Sequence, residues 1–453
     1  MVHTGAQNID VIFFAGTNAT GSNVAEANAA VKVSPAGTLT NPDGSALGTI
    51  TFNSRIDQIV IQTTTLVLGA PVTPIYSVRA IDRSVIAVPP GSATFTATPD
   101  GGTATVTNGT VIGTSLGDVN LTATIDGVKS FSAVLEVQPP ALSVAPRTLG
   151  MTTNWIVANP KTGTIWASVP GSASKYANNV VEIDPATGTV KGSVFVGSEP
   201  NVLAISDDGS ELYVGLDGAA AICRVDTASR TVSATFSLAL SGPFNNTQFR
   251  ASDIQVEPSH PDVIAVTTAG IGSSLVYGPT LYSGGVALPN PGGQPSGNSS
   301  AFVSPTRLWT SEQTDLAQYS IDATGATRLT SVNETLESLQ LKAFGGTLYT
   351  DQGGIYSGGT GASLGSFNVS SPDSFTVDSG FAYFVELTPN GEIWLATFNV
   401  GTQNSFALNM IHGETMFQNF AGRGQTSVCR WGSKGLAFRT GTKIYFIDHA
   451  PGL

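Results

Sequence analysis

Short apolar runs rich in Val, Ile, Thr and Phe recur along the chain, each bounded by Gly, Pro, Asn, Asp or Ser. Apolar and polar positions alternate with a period near two, not 3.6, which predicts strands throughout and an all-β fold. One fragment departs from this. VAEANAAV at 24–31 reads as a short helix, too short to stand alone. The stretch VNLTATIDGVKSFSAVLEV at 119–137 predicts a hairpin by its own chemistry. Val119, Leu121, Ala123 and Ile125 fall on one face, and Asp126-Gly127 supplies a turn that tolerates positive φ. Phe131, Ala133, Leu135 and Val137 are expected to return along that same face.

The clearest boundary is QPPALSVAP at 138–146, where Pro139, Pro140 and Pro146 withhold the donors a central strand needs. Beyond it a unit repeats: WIVANPKTGTIWASV, VLAISDDGSELYVGL, DIQVEPSHPDVIAVT, SAFVSPTRLWTSE, LQLKAFGGTLYTDQG, YFVELTPNGEIWLAT and VCRWGSKGLAFRT. Each copy has an apolar strand, a polar turn and a second strand with a large residue: Trp166, Tyr213, Ile264, Trp309, Tyr349, Trp394 and Phe438 in turn. Their spacings of 47, 51, 45, 40, 45 and 44 residues match the period of a four-stranded propeller blade. Seven copies predict a seven-bladed β-propeller over 147–453. The last copy is one strand short of four, so ALSVA at 141–145 is expected to complete it and remove the free edge.

Two segments resemble known families. The run from SATFTATPDGG to VLEV, within 74–137, resembles the bacterial Ig-like domain of group 2. That resemblance implies a β-sandwich serving as a spacer or adhesion module, without catalytic residues. ISDDGSELYVG, together with NNVVEIDPATGTVKGSVFVG and AAICRVDTASRTVSATFSL, resembles the YVTN-type propeller repeat of bacterial surface proteins. Residues 1–73 are strand-like and carry no familiar motif; they read as a second sandwich or an assembly element. The expected organisation is therefore a β-rich segment at 1–73, an Ig-like domain at 74–137, a linker and closing strand at 138–146, and the propeller.

Composition narrows the function. Charged residues make up 11% of the 453, far below the roughly 25% usual in soluble domains. A net charge of −12 without Lys/Arg clusters excludes a nucleic-acid partner. No run of 18 apolar residues occurs, so membrane insertion is not expected. Cys223 and Cys429 lie in apolar runs and are expected to be free thiols. The opening MVHTGAQNID has neither a basic nor an apolar signal region, so either no signal is used or one was removed.

Candidate chemistry is sparse. Asp207, Asp208 and Glu211 cluster in one repeat turn and are candidate metal ligands, but the turn reading is preferred because the calcium-loop spacing is absent. His412 and Glu414 share a strand face by their i, i+2 spacing and are the candidate acid–base pair at a channel mouth. No cofactor motif is present. The loop at 282–300 is long for a propeller connection and is the first candidate contact surface. These features favour a non-enzymatic extracellular or cell-surface structural protein with a protein or glycan partner at the propeller face or that loop. The alternatives are a virion or surface-filament subunit that assembles with copies of itself, and a propeller hydrolase or lyase.

Overall fold

The computed structural model describes residues 5–14, 23–36, 38–47, 53–80, 83–88, 91–138, 146–238, 249–271, 276–293, 299–312, 315–333, 340–370, 372–378, 380–387, 392–415 and 427–450. The chain divides into two compact units, Met1–Pro140 and Ala141–Leu453. The described residues of both are all-β.

The first unit opens with a long hairpin. Gly5–Phe14 pairs antiparallel with Asn23–Val33, from Gly5 opposite Val33 to Phe14 opposite Asn23. The expected helix at 24–31 lies inside that second strand. Alanine's helix propensity is a weak prior. Pairing satisfies the backbone and leaves Ala27, Val31 and Val33 buried in alternation.

Three further sheets follow. Gly117–Ile125 is central to the largest, flanked by Thr94–Asp100 on one side and Ala133–Gln138 on the other. Val119, Leu121, Ala123 and Ile125 are buried, and Asp126 and Gly127 both adopt positive φ, as the pattern predicts. Phe131 does not return to that face; it is 82% exposed. Ser130 exchanges backbone and side-chain hydrogen bonds with Ala123, and the strand resumes only at Ala133. Ile56 and Ile59 share one core with Ala123 and Ile125. Leu66 pairs in parallel with Val137. Residues 56–67 therefore pack with 74–138, and the boundary expected at 73/74 falls inside one packed body. Long-range parallel pairing leaves no local signature.

The second unit is seven antiparallel sheets of four strands each. Their innermost strands are Trp155–Ala158, Pro200–Ile205, Phe249–Glu257, Ser299–Ser304, Leu341–Phe344, Pro372–Val377 and Ser427–Trp431. Each neighbours the next, and the seventh neighbours the first, so the ring closes. One apolar cluster lies between every two successive blades, including Ile156 and Ile165 of blade one with Ala437 and Phe446 of blade seven. Second strands are buried on both faces, which is why they read as nearly continuous apolar runs: in Glu211–Leu216, Leu212 and Val214 face blade one while Tyr213 faces blade three. Burying a side chain of that size contributes about 2–3 kcal/mol.

Blade seven is completed from the other end of the unit. Arg147–Gly150 pairs antiparallel with Lys443–Ile447, Arg147 opposite Phe446. Residues 141–145, expected to supply this strand, lie outside the described residues. The sixth copy was misaligned by one strand: Phe381–Leu387 is the second strand of blade six, and Trp394 sits on the third, Glu392–Asn399. Ile264 and Phe438 do lie on second strands but face the preceding blade, whereas Trp166, Tyr213, Trp309 and Tyr349 face the following one.

Candidate functional site

The seven innermost strands enclose a channel with a cavity of about 870 Å3. These strands carry the site because their alternate side chains face the lumen while the others enter the inter-blade cores. At one end, polar residues from blades one to three are fixed in a chain of contacts. Asn154 Nδ2 donates to Pro200 O at 2.8 Å, and Asn201 Nδ2 donates to Asp217 Oδ2 at 2.8 Å. Arg250 Nη1 reaches that same Oδ2 at 3.5 Å. Burial raises the pKa of the Asp217 carboxyl, against the pull of Asn201 and Arg250. Glu199 Oε2 accepts the Gly171 amide at 3.3 Å. Arg439 lies beside this end, its Nη1 donating to Thr153 O at 2.9 Å; burial lowers its guanidinium to about 10.

Asp253 lies deeper, on the innermost strand of blade three. Its Oδ2 accepts the Ser300 amide at 2.7 Å, Ser299 Oγ at 3.2 Å and Ser300 Oγ at 3.3 Å, and Gln255 Nε2 donates to it at 3.1 Å. Ser299 Oγ in turn accepts the Leu341 amide at 3.1 Å. A hydrogen-bonded belt thus joins blades three, four and five. Burial raises the Asp253 carboxyl, opposed by the Ser300 amide, Gln255, Ser299 and the nearby Lys342 charge.

Lys342, next to Leu341, is half-buried and lines the lumen. Burial lowers its ammonium, while the charges of Asp253 and Cys429 oppose that shift. Cys429, on the innermost strand of blade seven, is a free thiol pushed up to about 12 by burial, against the influence of Lys342 and Arg430. Cys223 is also free and fully buried.

The acidic cluster is dispersed by its own turn. Asp208 Oδ1 accepts Ser206 Oγ at 2.7 Å, the Ser210 amide at 3.0 Å and Ser210 Oγ at 2.7 Å. The Ser206 hydroxyl, then the Ser210 groups, hold its carboxyl down at about 2. Glu211 faces Arg224 at 3.6 Å, and burial raises its carboxyl. Asp207 lines the opposite end of the channel and accepts the Ser259 amide at 3.3 Å. Three carboxylates thus take three separate partners, and among the described residues no group of three His, Cys, Asp or Glu is placed to hold a metal.

His412 and Glu414 lie in Ser405–Thr415, the outermost strand of blade six and the far edge of that sheet from the channel. Their side chains lie outside the described residues. Much of the 282–300 segment is tied down: Val286–Ala287 is the fourth strand of blade three, and Asn290 exchanges backbone bonds with Thr324 and Ala326 of blade four. Residues 294–298 lie outside the described residues.

The residues that line the lumen, Asp253, Lys342 and Cys429, were not singled out as a group from the sequence. They stand 87 or more positions apart in the chain, and only ring closure brings their strands around one lumen. Aligning the innermost strands and marking every charged residue on them would have found Asp253 and Lys342.

No protein-family model and no curated protein matches the chain. Among solved structures it is similar to the β-propeller domain of Myceliophteria thermophila Cps50 (Swd1), with a TM-score of 0.51 and 11% identity, over 68% of this chain and 99% of that one. At that identity the likeness shows the fold alone. The second unit is a β-propeller.

Proposed function

We propose that this is a non-enzymatic structural or adhesion protein of the extracellular space or cell surface, presenting its propeller as a rigid binding platform for a protein or glycan. One observation carries the reading: Asn154, Glu199, Asn201 and Arg250 come from three successive blades to one mouth of the channel, with their side chains held by hydrogen bonds and an ion pair. Preorganised polar groups around a concave opening suit recognition, because little ordering is left to be done on binding. In this reading residues 74–137 act as an Ig-like spacer and the propeller belongs to the YVTN type. Both assignments rest on sequence resemblance. Fold alone does not specify a task among propellers.

A second reading, a virion or surface-filament subunit, draws on the long first hairpin. Gly5–Phe14 has a single described neighbour in its sheet, and such an edge is a template for strand addition by another chain. The hydrolase or lyase alternative needs His412 and Glu414 at the channel mouth, whereas both lie on an outermost strand.

The test is a glycan-array and surface-extract binding screen of the full-length protein and of an Asn201→Ala/Arg250→Ala variant, with light scattering of the same samples. Binding lost in the variant supports the platform at this mouth. Binding retained in the variant moves the partner elsewhere. Ordered polymers without any binding favour the subunit reading.

A further inference from the structure

We propose that this mouth of the channel takes the terminal residue of a neutral glycan, with the Trp155 indole as its stacking platform. The proposal rests on the platform reading above and narrows its partner from a protein or glycan to one chemical class.

Trp155 is the residue that points there. It opens the innermost strand of blade one, directly after Asn154. Its side chain packs against the apolar clusters on both sides of blade two, yet it stays half-buried and lines the cavity. Trp166 and Trp309, by contrast, are fully buried between blades. A flat indole on the wall of an open cavity can cover the apolar C–H side of a sugar ring and leave the ring hydroxyls to polar neighbours.

Those neighbours are present on the same wall. A hydroxyl both donates and accepts, so a sugar needs donors and acceptors side by side. Asn154 and Asn201 use their Nδ2 groups on Pro200 O and Asp217, and neither Oδ1 has a partner among the described residues. Glu199 uses Oε2 on the Gly171 amide and keeps Oε1 as an acceptor. Arg250 holds Asp217 through Nη1, which leaves Nε and Nη2 as donors. All four side chains line the cavity, and their existing contacts fix them before a ligand arrives.

Charge decides against an ion. The lining cations Arg250, Lys342, Arg430 and Arg439 are set against Glu199, Asp207 and Asp253, with Asp217 and Asp378 paired to Arg250 and Arg430. Neither sign is in clear excess, and a neutral ligand loses least on leaving water. Shape decides against a protein surface. A cavity of about 870 Å3 inside a ring has the size of a small-molecule pocket, so a chain end enters where a flat protein face cannot.

The experiment titrates the full-length protein with methyl glycosides of glucose, galactose, mannose and N-acetylglucosamine, by calorimetry and tryptophan fluorescence. Methyl glucuronide is the anionic control. Saturable binding of at least one neutral glycoside is expected, with a fluorescence change and reduced acrylamide quenching in the unmodified protein. Binding should be roughly tenfold weaker in Trp155→Leu, which keeps apolar bulk against both clusters, and partly restored in Trp155→Phe. Glycans that end in the bound sugar should be retained on an array and released by the free glycoside. Lack of saturable binding by every neutral glycoside overturns the proposal. The platform reading survives that result if Asn201→Ala/Arg250→Ala still abolishes capture of a surface protein, and falls with it if nothing is captured. Undiminished binding by folded Trp155→Leu overturns the stacking role. Glucuronide bound as tightly as glucoside overturns the neutral class, and glycosides bound without any array glycan overturn the chain end.

Discussion

Gly209 shows how much one residue of the repeat turn carries. It adopts φ +69°, and its carbonyl accepts Asn159 Nδ2 at 2.9 Å and Thr227 Oγ1 at 2.6 Å, tying blade one to blade two. A side chain there is strained by φ and meets Asn159 Oδ1, which already accepts the Lys161 and Thr162 amides. Gly209→Ala should cost roughly 1–3 kcal/mol in equilibrium denaturation; a change within a few tenths would show that this corner relaxes freely. At the same scale, Cys429 makes a pH prediction. A thiol held at about 12 is almost wholly protonated at pH 8, so about one in ten thousand is thiolate. Native protein should give no rapid thiol titre at pH 8, and two thiols after denaturation. The sign of the linked stability follows. The fold favours the neutral thiol, so this contribution is full below the ordinary thiol value near 8.5 and is lost as pH rises from there toward about 12. Denaturant midpoints measured from pH 7 to 11 should fall over that window, and less steeply in Cys429→Ser.

At the scale of the element, the closing strand gives the sharpest test. Arg147–Gly150 covers the edge of Lys443–Ile447, and the Arg147 guanidinium pairs with Asp448, donates to Pro185 O at 2.7 Å and lies over the Phe446 ring. A chain beginning at residue 151 should melt more than ten degrees below one beginning at 141, and associate through the bared edge. Because the ion pair is about a third exposed, Arg147→Ala alone should cost only about 1 kcal/mol. Equal melting of the two truncations would mean that the ring does not depend on this strand. The need for a closing strand was legible in the sequence, because the last copy had three strands where a blade has four. Its position was not: the strand at the edge is Arg147–Gly150, whose one large apolar residue is Leu149, while the more apolar run ALSVA directly precedes it at 141–145. Of the hairpin read at 119–137, the first arm and turn were legible for a local reason, strict alternation ending in Asp-Gly, whereas Phe131 on the return arm was misplaced. Residues 24–31 were misread because Ala suits a helix and only pairing with 5–14 decides otherwise. The sixth repeat slipped by a strand because Phe381–Leu387 and Glu392–Asn399 are both apolar and the sequence between them, Thr-Pro-Asn-Gly, has the turn-forming composition of the stretches that join first and second strands. The channel group escaped for a topological reason: Asp253, Lys342 and Cys429 come from blades three, five and seven.

For the whole molecule, the distribution of cores decides how it should unfold. Every apolar cluster of the propeller joins two adjacent blades, and the seventh links the last blade to the first. Loosening any one blade therefore strips apolar cover from both neighbours, which favours a single cooperative transition for the ring. The first unit buries its own separate clusters, around Ile59 and Leu121. Scanning calorimetry of the full chain should accordingly resolve two transitions. Unfolding enthalpy scales with chain length, so the unit 141–453 should absorb roughly twice the heat of the unit 1–140. A calorimetric enthalpy for the larger transition equal to its van't Hoff value would fit a ring that opens as one body. A ratio well above one would mean that blades melt in groups. A single transition for the entire chain would show that the two units stabilise each other through contacts additional to their separate cores.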